Sequence, residues 1–237
     1  MEIKILYDNN AGDSNILAGW GFSCLVDGSV LFDTGEDGTS LLQNMKEMAI
    51  DVSYVKDVVI SHDHADHTGG LKKILERNKG VRVHACRGFS EGFKKNVKAL
   101  GGVLVEHDNF AEIGKNILVT GEIEGRYKER EIAEQALIAK TSKGVSVVTG
   151  CAHPGIVTIT KKVRERFPDE KIYCIFGGFH LKGKQTEEII YVIDKLKNLG
   201  AGKAGPAHCS GEKAINVFKE RFGRDFIHVA AGKKFEV

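Results

Sequence analysis

The chain has 237 residues, 42% of them hydrophobic and 28% charged, enough apolar material for a sizeable core in a soluble protein. Its 34 Lys and Arg stand against 32 Asp and Glu, and a net charge of +2 excludes the broad basic surface of a nucleic-acid-binding protein. No apolar run approaches the roughly 20 residues that span a bilayer, MEIKILYDNN lacks a secretory pattern, and the five scattered cysteines suit reduced thiols better than disulfides. The expectation is a cytoplasmic protein with neither nucleic acid nor membrane as partner.

Segments rich in β-branched residues predict strands in chain order: EIKILYD, FSCLV, SVLFDTG, DVVIS, VRVHA, GVLVEH, NILVTG, QALIAKT, GVSVVTG, KIYCIF and FIHVAA. Between them, apolar residues at helical spacing predict helices over 39–49, 70–78, 89–100, 155–167, 186–199 and 211–222. Consecutive strands come first, and helices alternate with strands after residue 36 and again after 150. That order predicts an α/β fold of four layers, two packed sheets with helices outside, an αββα sandwich. No linker or short repeat divides the chain, so residues 1–237 are expected to form one domain. The charged stretch GEIEGRYKEREIAE (121–134) reads as a solvated surface loop, with a mobile lid or a dimer arm as the sharper alternative.

Chemistry concentrates in DVVISHDHADHTGG. His62 and His64 stand two apart, so an extended backbone sends both imidazoles to one side. Asp66 and His67 fall where a helix begins, since Leu71, Ile74 and Leu75 follow at helical spacing. A strand end turning into a helix therefore converges imidazoles and a carboxylate on one small volume, and these are donors favoured by zinc and similar divalent ions. A polar turn with a capping Asp would account for Asp63 or Asp66 singly but not for the histidines around them.

Further along, IYCIFGGFHLKGK ends a strand in a Gly-Gly turn before His180, which admits an imidazole to a cleft for substrate contact or proton transfer. Lys182 and Lys184 follow, and Ser210 with Gly211 precedes a helical run, an arrangement suited to holding a phosphate. His84, His107 and His228 have no partners in sequence and read as ordinary core or surface histidines.

With HxHxDH after a strand, SVLFDTG before it, and TGCAHPGI and PAHCSG after it, the chain resembles the metallo-β-lactamase superfamily. The resemblance implies the superfamily's fold, with two mixed sheets, and a centre of one or two divalent ions, zinc foremost, with manganese or iron as alternatives. It implies that His62, His64 and His153 hold one ion, that Asp66, His67 and His208 hold the other, and that Asp33 supports the metal loop from behind. At the bridging position, where the superfamily usually has Asp, the chain has Cys151, which either replaces that ligand as a thiolate or is a small buried hydrophobe.

The blocks LFDTG, SHDHADHTGGL, TGCAHPGI, GGFHL and HCSG resemble the branch that includes the dihydropterin ribofuranosylaminobenzene phosphate synthase of methanopterin synthesis. That resemblance implies a transferase joining a dihydropterin pyrophosphate to a ribosylaminobenzene phosphate, or more broadly a metal-dependent enzyme acting on a phosphorylated small molecule. In that reading Asp66 orients a water and His180 stabilises or protonates the leaving group. The alternatives are a general hydrolase of phosphodiesters, lactones or thioesters, and a non-catalytic metal-binding sensor. A homo-oligomer is left open.

Overall fold

The structure, a computed structural model, describes residues 1–237. Its first half runs β1 (Glu2–Tyr7), β2 (Ser23–Val26), β3 (Val30–Phe32), α1 (Gly38–Glu47), β4 (Asp57–Val59), α2 (Ala65–Thr68), α3 (Leu71–Arg77), β5 (Arg82–Cys86), α4 (Glu91–Ala99) and β6 (Val103–His107). The second half adds β7 (Ala111–Gly114), β8 (Ile117–Val119), β9 (Ile123–Tyr127), β10 (Arg130–Glu134), β11 (Leu137–Thr141), β12 (Gly144–Thr149), α5 (Ile156–Arg166), β13 (Ile172–Gly178), α6 (Thr186–Asn198), β14 (Ala201–Ala207), α7 (Glu212–Phe222) and β15 (Lys234–Glu236).

One sheet has the order β15-β1-β2-β3-β4-β5-β6 and the other β14-β13-β12-β11-β8-β7, each parallel in one part and antiparallel in the rest. Strand periodicity sorts the side chains into layers. Val148 and Phe176 point between the sheets, where they meet Phe22, Phe32 and Val59, whereas their neighbours Val147 and Ile175 point outward beneath α5, α6 and α7. On the other outer face, Leu41, Leu71, Ile74 and Val97 of α1, α3 and α4 cover Val58 and Val83. Each such side chain contributes about 1.5–3 kcal/mol by leaving water, so helix faces such as Ile189, Ile193 and Leu196 settle which way a helix turns. The result is a four-layered αββα sandwich of mixed sheets. No helix is long and apolar enough to cross a membrane.

One predicted strand does not form, and one strand arises without a local signal. FIHVAA makes only isolated bridges, Phe226 to Ala204 and Ala231 to Ala11, because this segment crosses from the edge of one sheet to the edge of the other and cannot follow either ladder. AGKAGPA, which carries no strand signal, forms β14. Pro206 is tolerated because β14 is an edge strand pairing only with β13.

The segment 121–134 is ordered pairing rather than open loop: β9 and β10 form an antiparallel hairpin. Ile123, Gly125, Ile132 and Glu134 alternate inward along it. Its two-residue turn holds Lys128 at φ 46 and Glu129 at φ 65, both in the left-handed region that usually selects Asn-Gly. Replacing the pair by Asn-Gly should therefore stabilise the protein by about 1 kcal/mol, read as a rise in the midpoint of urea unfolding.

Where β4 and β5 begin, Asp57 Oδ1 accepts from Arg82 Nε at 2.6 Å and from His84 Nε2 at 2.7 Å, and His84 Nδ1 lies 2.8 Å from His107 Nε2. His84 and His107 thus tie β4, β5 and β6 together, as histidines with structural roles. Burial pushes the Asp57 carboxyl up, but the bonds from His84 and Arg82 outweigh it and bring it down to about 2 from the ordinary 3.8. A carboxyl depressed in the folded state adds stability above its unfolded value and loses it as the pH falls. With Arg82 half exposed, Asp57→Asn should cost between about 1 and 2 kcal/mol at pH 7. The difference from the unmodified protein should shrink as the pH drops from 3.8 towards 2, as urea unfolding at several pH values would show.

Candidate metal centre

Carboxyl ends of strands converge on one edge of the sandwich, the place where α/β sheets present their ligand sites. From β3 comes Asp33, from β4 the run Ser61–His67, from β12 Cys151 and His153, from β13 His180, and from β14 His208. Asp33, Ala152, His180 and His208 all adopt left-handed backbone conformations, with φ between 49 and 61. Such conformations cost of order 1–3 kcal/mol each and persist where the surroundings over-determine them. Gly150 has no room for a side chain, since a Cβ there would collide with Ser61 Oγ.

Two groups of donors form within this edge. His62, His64 and His153 offer nitrogens within 4.8 Å of one another, and so do the donor atoms of Asp66, His67, Cys151 and His208. The first is the set that the resemblance assigned to one ion, and the second is the other set with Cys151 added. Cys151 Sγ lies 3.4 Å from His67 Nε2 and also groups with His153 and His180, which puts the thiol between the sets.

Hydrogen bonds fix which nitrogen each ring presents. Asp33 Oδ1 accepts Ser61 N at 2.7 Å, while its Oδ2 accepts Ser61 Oγ and His67 Nδ1, each at 2.7 Å. The Ser61 hydroxyl proton is thereby used, so at 2.9 Å Ser61 Oγ accepts from His62 Nδ1. One buried carboxylate thus holds the Nδ1 proton of both rings, directly on His67 and through Ser61 on His62, and directs their Nε2 atoms toward the cavity, the outer-shell support that metal-binding histidines use. Asn9 does the same for His208. Its Nδ2 donates to His208 O and its Oδ1 accepts Gly21 N, which fixes the amide, and Oδ1 at 3.0 Å then takes the proton of His208 Nδ1. Asp8 Oδ1 accepts His208 N at 3.0 Å.

The donors suit a cation. His62 Nε2 and both ring nitrogens of His153 are buried without a hydrogen-bond partner, a cost of about 1–3 kcal/mol each unless an ion engages them. Burial and the neighbouring imidazoles push His62 well below its ordinary value, and burial and His180 bring His153 down to about 3. Both rings are therefore neutral, the form that ligates metal. Burial opposes ionisation of Asp66, yet His208 and His67 hold its carboxyl well below the usual range.

Over these donors lies a cavity of about 260 Å³, lined by His64, Asp66, Cys151, His153, His180 and Cys209, with Trp20 and Tyr127 as its aromatic walls. Tyr127 reaches in from β9, its ring 4.9 Å from that of His64 and 5.2 Å from that of His153. Trp20 stands at the other end, 4.9 Å from the His208 ring, with Lys182 Nζ 4.8 Å from its own ring centroid. His180 packs on His153 with centroids 4.6 Å apart. A larger hollow of about 710 Å³ on the outer side of α1 is lined by neither histidine nor cysteine.

The phosphate-binding expectation is corrected in part. Ser210 is fully buried, and its Oγ accepts Phe179 N at 3.0 Å, so it braces the turn that carries His180 instead of facing a ligand. Gly211, not Ser210, caps α7. Lys184 pairs with Glu188 at 2.9 Å, which leaves Lys182 at the mouth. The sequence reading missed Asp8, Asn9, Trp20, Tyr127, Cys209 and Glu134. Glu134 lies buried behind Cys151 and His153, where burial pushes its carboxyl up to about 7 against the three amide bonds it accepts. Only the inward period of β9 and β10 hinted at two of these residues.

Residues 23–86 match the family model of the metallo-beta-lactamase superfamily. The 7,8-dihydropterin-6-methyl-4-(beta-D-ribofuranosyl)-aminobenzene-5'-phosphate synthase of Methanocaldococcus jannaschii is 33% identical over 243 residues, spanning 86% of this chain and 83% of that one. An uncharacterized protein of the same organism is 28% identical over 98% of both chains. Among solved structures, a metal-dependent hydrolase of the beta-lactamase superfamily superposes with a TM-score of 0.84 at 31% identity, over 100% of this chain and 99% of that one.

Proposed function

Because the chain belongs to the metallo-β-lactamase superfamily, whose members are metal-dependent enzymes, we propose that it transfers a pyrophosphate-activated group between two small phosphorylated molecules. The specific reading is a dihydropterin pyrophosphate joined to a ribosylaminobenzene phosphate with loss of pyrophosphate. The observation that carries it is the pair of donor groups at one cavity, in a chain that is 33% identical over most of its length to the synthase.

In this reading His62, His64 and His153 hold one divalent ion, and Asp66, His67, Cys151 and His208 the other. Such ions supply Lewis acidity toward phosphoryl oxygens and lower the pKa of water. The rest falls to the chain. Asp66 is kept anionic at the floor of the cavity and orients the reacting group. His180, at the rim, carries the proton that the departing oxygen takes up. Lys182 meets a phosphate at the mouth as a point charge. Trp20 and Tyr127 offer ring faces for flat substrates at the two ends.

A second reading, simple hydrolysis, is favoured by the likeness at a TM-score of 0.84 to a metal-dependent hydrolase. One assay separates them: metal-replete protein is given the pyrophosphate donor with and without the aromatic acceptor, alongside elemental analysis. Pyrophosphate appearing only with the acceptor supports transfer, and release without it supports hydrolysis. Inactivity toward both, and toward generic phosphodiesters, would return the chain to metal binding without turnover.

A further inference from the structure

Glu134 closes β10 and is 1% exposed. Both of its oxygens are used by one short stretch of the neighbouring loop. Oε1 accepts Cys151 N at 3.1 Å and Ala152 N at 2.7 Å, and Oε2 accepts His153 N at 2.7 Å. Three successive amides aimed at one point, with Ala152 at φ 61, make the concave backbone nest that receives an anion. Here the anion is a side chain of the chain itself.

The nest has a consequence on its far side. With residues 151–153 held in this way, Cys151 Sγ falls among Asp66, His67 and His208, while His153 falls among His62 and His64. We propose that Glu134 is the positioning residue of the metal centre, acting through the backbone of 151–153 to present Cys151 and His153 to their ions. The inference rests on the assignment of Cys151 and His153 as ligands made above. It also ties the hairpin that carries Tyr127 to the ligand loop, since Glu134 and Tyr127 belong to the two paired strands.

Glutamine at 134 has the same shape but only one acceptor oxygen, and its NH₂ would face an amide N–H, so the nest cannot close. Aspartate keeps the charge but is one methylene shorter and reaches part of the nest. The unmodified protein and its Glu134→Gln, Glu134→Asp and Cys151→Ser variants, each loaded with cobalt(II), would be compared by thiolate-to-cobalt absorption, by chelator competition for metal affinity, and by far-UV circular dichroism. Glu134→Gln should lose the thiolate absorption and bind metal roughly 10–100-fold more weakly, with its secondary structure retained, and Glu134→Asp should recover part of both.

A Gln variant with the absorption and affinity of the unmodified protein, altered only in melting temperature, would overturn the proposal. If the Gln variant does not fold, the Asp variant decides, and unmodified absorption and affinity there overturn it equally. Thiolate absorption missing from the unmodified protein, or surviving in Cys151→Ser, would instead remove the ligand assignment on which the proposal stands.

Discussion

Replacing His62 and His64 together with alanine is expected to strip the purified protein of the ion they share with His153, weakening binding there by more than roughly 100-fold, since each ligand outweighs an outer-shell partner. The reason lies in the grouping of His62, His64 and His153, which loses two of its three donors. The fold should survive. His62 is fully buried with an unpartnered Nε2, so the metal-free protein loses an uncompensated polar atom along with the ring. Added zinc should raise the melting temperature of the unmodified protein by mass action on the folded state and raise that of the double variant less. A full metal complement in the double variant, measured by elemental analysis, would defeat the site assignment.

The second large effect is expected at Asp33. Asp33→Ala leaves Ser61 N, Ser61 Oγ and His67 Nδ1 facing an empty space in the core, at a cost of about 3–5 kcal/mol. Asp33→Asn is the more informative change. Its amide nitrogen would point at His67 Nδ1, which must then accept, and the ring proton moves to Nε2, the atom directed at Cys151 and the cavity. Metal affinity should fall roughly 10–100-fold while urea unfolding shows a smaller loss than for alanine. Equal metal affinity in Asn and unmodified proteins would mean that Asp33 serves packing alone.

Much of the centre is legible along the chain because its donors come in short-range patterns. His62, His64, Asp66 and His67 announce themselves by spacing at a strand end, and the helix faces and ten of the strands follow from periodicity. Assigning His153, His208 and Asp33 needed the family resemblance, since each sits alone in its stretch. Ser210 misled because a serine before a helix has the signature of a cap, whereas the fold placed it beneath Phe179.

What the sequence determined by itself was the clustering of His62, His64, Asp66 and His67 at one strand end and the alternation of buried faces, both local properties written in residue type and period. Only the tertiary structure decided which proton each imidazole keeps and where Cys151 points. Asn9 meets His208 across 199 residues and Glu134 meets the Cys151 amide across 17. An acceptor carries no local mark of the donor it will face, and that pairing exists only once the strand ends have converged.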